Sequence, residues 1–167
     1  MSQFRLYPYN AVWEITFICN MRCLHCGTSA GEKREDELTT NEALKLVDDL
    51  ADLGCEILTL SGGEPLLRKD WKELAQHAKE RKIKTGLVTN GWCVNDKVVK
   101  DFRKIGFDMI GVSFDGTQPT HDMIRRTPGS YEKAYLALKM IKESGQKVCA
   151  LTQVSQLNLK ELDDIYH

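Results

Sequence analysis

Apolar and polar positions follow two rhythms along this chain: short β-rich runs, and longer stretches with one apolar face. Residues 11–17 (AVWEITF) read as a strand. A helix then spans Thr39 to Gly54: Thr39 and Glu42 form a capping box, Gly54 stops it, and Ala43, Leu46, Val47, Leu50 and Leu53 share a face. Residues 56–61 (EILTLS) predict a second strand, Asp70 and Glu73 the cap of a helix to about Arg81, and residues 84–89 (KTGLVT) a third strand. Asn95 opens a helix that ends before Gly106, and residues 109–114 (MIGVSF) predict a fourth strand. Ser130 opens a helix whose face carries Ala134, Tyr135, Leu138 and Ile141. Residues 148–154 (VCALTQV) predict a fifth strand, and Asn158 with Glu161 caps a final helix barely begun at His167.

Strands alternating with helices imply right-handed crossovers and a parallel sheet. The expected fold is α/β, a partial (βα) barrel of about five parallel strands with outer helices. Chemistry in such sheets gathers at the carboxyl ends of the strands. The unusual residues fall there: Cys19 after the first strand, Gly62-Gly63-Glu64-Pro65 after the second, Asn90-Gly91-Trp92-Cys93 after the third, Asp115-Gly116 after the fourth, and Gln153 near the end of the fifth.

Composition narrows the partners. The chain of 167 residues is near the size of one domain, and 42% hydrophobic with 28% charged residues suits a packed core. Lys and Arg number 23 against 24 Asp and Glu, so no basic excess points to nucleic acid. The densest basic cluster, residues 79–84, is interrupted by Glu80 and reads as the solvated end of a helix. Residues 1–9 carry no long apolar segment, and no run approaches the ~18 residues of a membrane span, so neither export nor a membrane is expected. In the cytoplasm, the expected location, six cysteines suggest metal or chemistry before disulfides.

Three of those cysteines, Cys19, Cys23 and Cys26, crowd one loop as Cys-Asn-Met-Arg-Cys-Leu-His-Cys. Three thiolates can hold three irons of a cubane and leave the fourth open to a small molecule, whereas clusters that only carry electrons usually have four cysteines. A closed zinc site using His25 as fourth ligand, or three buried structural thiols, are the alternatives. Gly62 and Gly63 lack Cβ and would let a ligand approach the backbone, or form a plain turn. A phosphate loop would want a following Lys and Ser or Thr, which Glu64-Pro65-Leu66-Leu67 does not supply.

CxxxCxxC after the first strand, joined to GGEP after the second, resembles the radical S-adenosylmethionine (SAM) superfamily. The resemblance implies a 4Fe–4S cluster on Cys19, Cys23 and Cys26, with SAM chelating the open iron. It places His25 near the adenine, the GGEP strip at the SAM amine, Asn90 on the pocket wall, Ser113 and Asp115 at the ribose or carboxylate, and Arg125 on the carboxylate, with Arg126 as its rival; an exposed His25 that only packs on the loop and a plain Asn90-Gly91 turn are the alternatives. Thr152 and Gln153 approach the adenine or substrate, or are inward-facing core polar residues. Cys55 and Cys149 read as core, Trp13 and Phe17 as core or loop support, and Cys93 as a possible substrate neighbour. The style of the motifs looks like members with SPASM or Twitch extensions, which modify ribosomal peptides, sulfatases or cofactor precursors. Residues 1–167 would then be a radical SAM core with its barrel cut short and no auxiliary-cluster domain. The substrate implied is a peptide or protein side chain. A small-molecule or molybdopterin-type cofactor enzyme, or a non-catalytic fragment, is the alternative. Reduced flavodoxin or ferredoxin is the implied electron donor.

Overall fold

The computed structural model describes residues 7–166. Residues 1–6 of the amino-terminal stretch considered above, and His167, lie outside the described residues. The elements run in the order β1 (Asn10–Glu14), α1 (Thr40–Asp52), β2 (Ile57–Ser61), α2 (Trp71–Glu80), β3 (Lys84–Thr89), α3 (Asp96–Ile105), β4 (Met109–Ser113), α4 (Gln118–Arg125), α5 (Ser130–Glu143), β5 (Val148–Leu151) and α6 (Leu162–Tyr166). Short 3₁₀ turns at Pro65–Leu67 and Leu159–Glu161 follow β2 and precede α6.

All neighbouring strands are parallel, and the sheet order is β1-β2-β3-β4-β5. A sheet whose spatial order equals its chain order winds in one direction, so its crossover helices collect on one face, as in a barrel. Side chains alternate across the strands. Leu58 and Leu60 of β2, Leu87 of β3, and Ile110 and Val112 of β4 are buried in one core with Val47, Leu74, Phe102, Ala134 and Ile141 of the helices. Trp71, Phe102 and Phe107 form its aromatic centre, with ring centroids 5.7–6.4 Å apart. The opposite side of the strands presents Glu14, Ser61, Val88, Ser113 and Leu151 to a cavity at the carboxyl edge.

Local chemistry explains most boundaries. Thr39 and Glu42 make the reciprocal capping box of α1. Asn95 caps α3 by accepting from Val98 N, and Gly106 ends it in the left-handed conformation. The first strand stops at Glu14 and the fifth at Leu151, both short of the runs read from the sequence. Residues 15–17 and 152–154 continue the β-rich composition, and Ile15 N still pairs with Ser61 O, but Phe17 N turns to the Glu37 carboxylate and Gln153 N to that of Asp115.

Four readings of caps and cores are corrected. Asp70 sits at the N-cap of α2 without a side-chain cap, because its carboxylate grips Arg68 at 2.7 and 3.0 Å. Ser130 opens α5 as expected, and Asp122 caps it, accepting from Gly129 N, Tyr131 N and Ser130 Oγ. Asn158 and Glu161 turn back to the loop after β4 instead of capping α6. Cys55 is buried as expected, but Cys149 lies half-buried on the edge strand. Tyr135, placed on the core face of its helix by spacing, is 54% exposed. Helix α4 was not anticipated from the sequence; Thr117-Gln118-Pro119, an N-cap residue with Pro in the first turn, is the signal for it.

Among the described residues, no helix is long and apolar enough to cross a membrane. Truncating Phe102 to Ala removes the ring shared by Trp71 and Phe107. Urea unfolding is expected to show a loss of about 3–5 kcal/mol.

Candidate active site

Most of the residues singled out by position meet in one cavity of about 520 Å³. That lies within the roughly 300–1,000 Å³ of small-molecule and cofactor sites. Cys19, Cys23, Cys26 and His25 line it from the cysteine loop, with Gly62, Gly63, Asn90, Ser113, Asp115, Arg125 and Gln153 from the sheet edge and α4. Thr152 lines it beside Gln153, and Thr28 and Glu14, which carried no expectation as ligands, line it as well. Arg126 is exposed, at the left-handed C-cap of α4, which separates it from Arg125. Cys93 is half-buried behind the loop after β3 and does not line the cavity. Burial, with the nearby Glu64 and Cys19, pushes its thiol up to about 11.

The cysteine loop is closed at its base. Ile18 bridges to Gly31, Cys19 N donates to Gly31 O at 3.0 Å, and Gly31 N donates to Phe17 O at 2.7 Å. The strip leading into it, residues 15–18, is held from two sides. The Glu37 carboxylate accepts from Thr16 Oγ1 and Phe17 N, and Arg68 donates to Ile15 O at 2.6 Å. Phe17 supports the loop as expected, its ring 3.4 Å beneath the Arg34 guanidinium.

The glycines of the GGEP strip serve this same junction. Gly63 N donates to Thr16 O and Glu64 N to Ile18 O, both at 2.8 Å. A Cβ on Gly62 would stand 2.3 Å from Thr16 O, and one on Gly63 would stand 2.3 Å from Ile18 O. Gly62 also has φ +138, a conformation that favours glycine. Close approach of the chain's own backbone requires these glycines, a reason the sequence did not suggest.

Glu64 and Pro65 are buried and do not line the cavity. The Glu64 carboxylate turns inward, accepting from Thr89 Oγ1 and Asn90 N at 2.8 Å and Leu66 N at 3.2 Å. It is wholly buried, and that burial pushes its carboxyl up to about 7 despite the hydrogen bonds. Asn90 does two jobs at once. Its Oδ1 accepts from Trp92 N to make the turn, while its Nδ2 donates to Asn20 Oδ1 at 2.8 Å and lies 4.0 Å from Cys19 Sγ.

Asp115 behaves oppositely. Its Oδ2 accepts from His25 Nε2 at 3.1 Å, Arg125 Nε at 2.8 Å and Arg125 Nη2 at 2.5 Å, and its Oδ1 accepts from Gln153 N at 3.0 Å. Burial raises its carboxyl, but the His25 hydrogen bond and the Arg125 charge outweigh that and hold it at about 2. Arg125 Nη1 lies 3.8 Å from Cys23 Sγ. Burial and the Arg125 charge lower His121 to about 4. It is therefore neutral near pH 7, and its Nδ1 accepts from Asp115 N at 3.0 Å.

None of the three loop thiols is in a disulfide. Each sulfur has a donor near it: Met21 N at 3.4 Å from Cys19, Arg125 Nη1 at Cys23, and Ala30 N at 3.3 Å from Cys26. Burial raises Cys19 and Cys23, whereas the donors at Cys26 outweigh its lesser burial and lower it. Donors aimed at sulfur suit thiolates that bind iron. Among the described residues, no three His, Cys, Asp or Glu side chains converge as ligands of one ion. A cubane instead holds its irons at separate corners, and one cavity wall carrying all three sulfurs accommodates it.

Fold and site together define a cluster-binding class: a barrel-type parallel sheet with a three-thiol loop at its carboxyl edge. The profile of the Radical SAM superfamily matches residues 13–167. The chain belongs to this superfamily, whose members use a 4Fe–4S cluster and SAM. It is 35% identical over 156 residues to the Fe-coproporphyrin III synthase of Methanosarcina barkeri, covering 93% of this chain and 39% of that protein. It is 30% identical over 159 residues to the mycofactocin maturase MftC of Mycobacterium tuberculosis, covering 94% and 40%. Streptococcus suis SuiB bound to SAM superposes with a TM-score of 0.84 at 18% identity, over 96% of this chain and 37% of that one. The chain thus spans about two-fifths of the length of these relatives.

The shifted carboxyl of Glu64 sets a pH dependence. Its folded-state value of about 7 lies above the ordinary 4.5, so its favourable contribution is full below 4.5 and is lost as pH rises through 7. Glu64→Gln removes that titration. The urea midpoint of the wild type is expected to fall relative to the variant between pH 5 and 8, and parallel midpoints would contradict the buried-acid assignment.

Proposed function

We propose that this chain is the catalytic core of a radical SAM enzyme acting on a peptide or protein side chain. The observation that carries the reading is the single cavity shared by three free thiols, the glycine strip, Ser113 and Arg125. Cys19, Cys23 and Cys26 would hold the cluster. The chemistry supplied there is one-electron cleavage of SAM to methionine and a 5′-deoxyadenosyl radical, which takes a hydrogen atom from the substrate.

The chain's own residues bind and orient. The Arg125 guanidinium offers the SAM carboxylate a planar fork. The exposed backbone of Gly62 and Gly63 offers carbonyl oxygen to the amine. Ser113 and Gln153 stand at the wall where the ribose and adenine would lie, and His25 provides a ring beside them. Asn90 sustains the position of Cys19 through Asn20. Glu64 and Pro65 contribute by fixing the strip and the loop after β3, with the carboxylate itself turned away. A reducing cytoplasm would keep the thiols free, and flavodoxin or ferredoxin would supply the electron.

Similarity to MftC and to the SuiB fold supports a peptide substrate. The similarity to the Fe-coproporphyrin III synthase supports a second reading, a tetrapyrrole or other cofactor precursor. Residues 1–167 are read as the part that generates the radical in either case.

Anaerobic reconstitution with iron and sulfide, followed by dithionite and SAM, is expected to yield 5′-deoxyadenosine by chromatography. Loss of that product when Cys19, Cys23 and Cys26 are replaced would support the assignment, and a chain that assembles no cluster would overturn it. Cys23→Ala alone is expected to abolish both cluster and SAM cleavage; a full iron complement in that variant would refute its role as ligand.

A further inference from the structure

Asp115 joins more parts of the site than any other described side chain. It is wholly buried, and both carboxylate oxygens are already occupied, Oδ2 by His25 and Arg125 and Oδ1 by Gln153 N. Its main chain is gripped as well. Asp115 N donates to His121 Nδ1 at 3.0 Å, and Asp115 O accepts from Asn158 Nδ2 at 2.8 Å. Asn158 is itself fully buried and also donates to Gln153 O at 2.9 Å. Segments on both sides of Asp115, from α4 and from beyond β5, therefore fix where its carboxylate stands.

The arginine is held in a particular way. Asp115 takes Nε and Nη2, one side of the guanidinium. The end that carries Nη1 is left at Cys23 Sγ, on the cavity wall. A guanidinium has five N–H donors, so a side gripped by one carboxylate leaves its end free for a second. The grip also removes the rotamer freedom that a long side chain would otherwise lose on binding.

We infer that Asp115 is a positioning residue that does not itself touch SAM: it preassembles Arg125 and His25 across the cysteine loop and acts on the cofactor through Arg125. This rests on the radical SAM reading above, and assigns Asp115 a role different from the ribose or carboxylate contact implied by resemblance. Side chains that act only through one another give non-additive effects.

The test is a double-mutant cycle on the reconstituted full chain, with SAM affinity by calorimetry and iron content measured for each variant. Asp115→Asn is expected to weaken SAM binding about tenfold, and Asp115→Asn with Arg125→Ala to bind no more weakly than Arg125→Ala alone. At saturating SAM, the electron paramagnetic resonance spectrum of the reduced cluster in Asp115→Asn is expected to shift as in the wild type. Losses that multiply in the double variant would show direct contact with SAM, or a general structural role, and overturn the inference while leaving the functional reading intact. A wild type that loads iron but binds no SAM overturns the functional reading and the inference with it. Should Asp115→Asn fail to load iron, Asn158→Ala asks the same question from outside the cavity. About threefold weaker binding that disappears in the Arg125→Ala background is expected, and unchanged affinity overturns the inference.

Discussion

The backbone of residues 16–18 lies against Gly62 and Gly63, and the cysteine loop depends on that contact. Two hydrogen bonds at 2.8 Å join the strips, and the space where a Cβ would stand is filled by carbonyl oxygens. Any side chain there would push the chain leading to Cys19 off the sheet edge. The same strip continues into Glu64, whose buried carboxylate holds the first residues after β3. One backbone seam and one acid thus bring together the exits of three neighbouring strands. A site built from separate loops acquires the rigidity of the sheet in this way.

The other half of the site is organised by charge. Glu64 and Asp115 are both buried acids, yet burial drives one up to about 7 while its surroundings hold the other at about 2. The difference is the partner. Glu64 is met by a hydroxyl and backbone N–H groups, which reduce the cost of desolvation without cancelling it. Asp115 is met by a guanidinium, an imidazole and an N–H, which favour its charged form. An acid met only by neutral donors suits a structural joint. A charged one suits a place where a cation must be kept oriented beside thiolates.

The segment beyond β5 takes part in this arrangement, though it has little regular structure. Asn158 reaches the carbonyl of Asp115, and Glu161 accepts from Thr117 N and from the hydroxyls of Thr117 and Thr120. These bonds fasten the fifth strand's exit to the fourth. The loop after β4 is therefore fixed on both sides, which is what a preorganised binding group requires.

The sequence by itself determined the alternation of strands and helices, the parallel sheet, and the edge at which Cys19, Cys23, Cys26, Gly62, Asn90, Ser113, Asp115 and Gln153 assemble, because periodicity and the carboxyl-end rule are local or topological. It also contained the superfamily motif in full. Only the tertiary structure decided where individual side chains turned. Glu64 points inward to Thr89 and Asn90, Asp115 spends its oxygens on His25, Arg125 and Gln153, and Asp122 caps the helix that Ser130 opens. It likewise chose Arg125 over Arg126, since the left-handed turn at Arg126 sends it to the surface. These choices depend on which polar partner comes within reach once strands distant in the chain are side by side, and spacing along the chain carries no record of that.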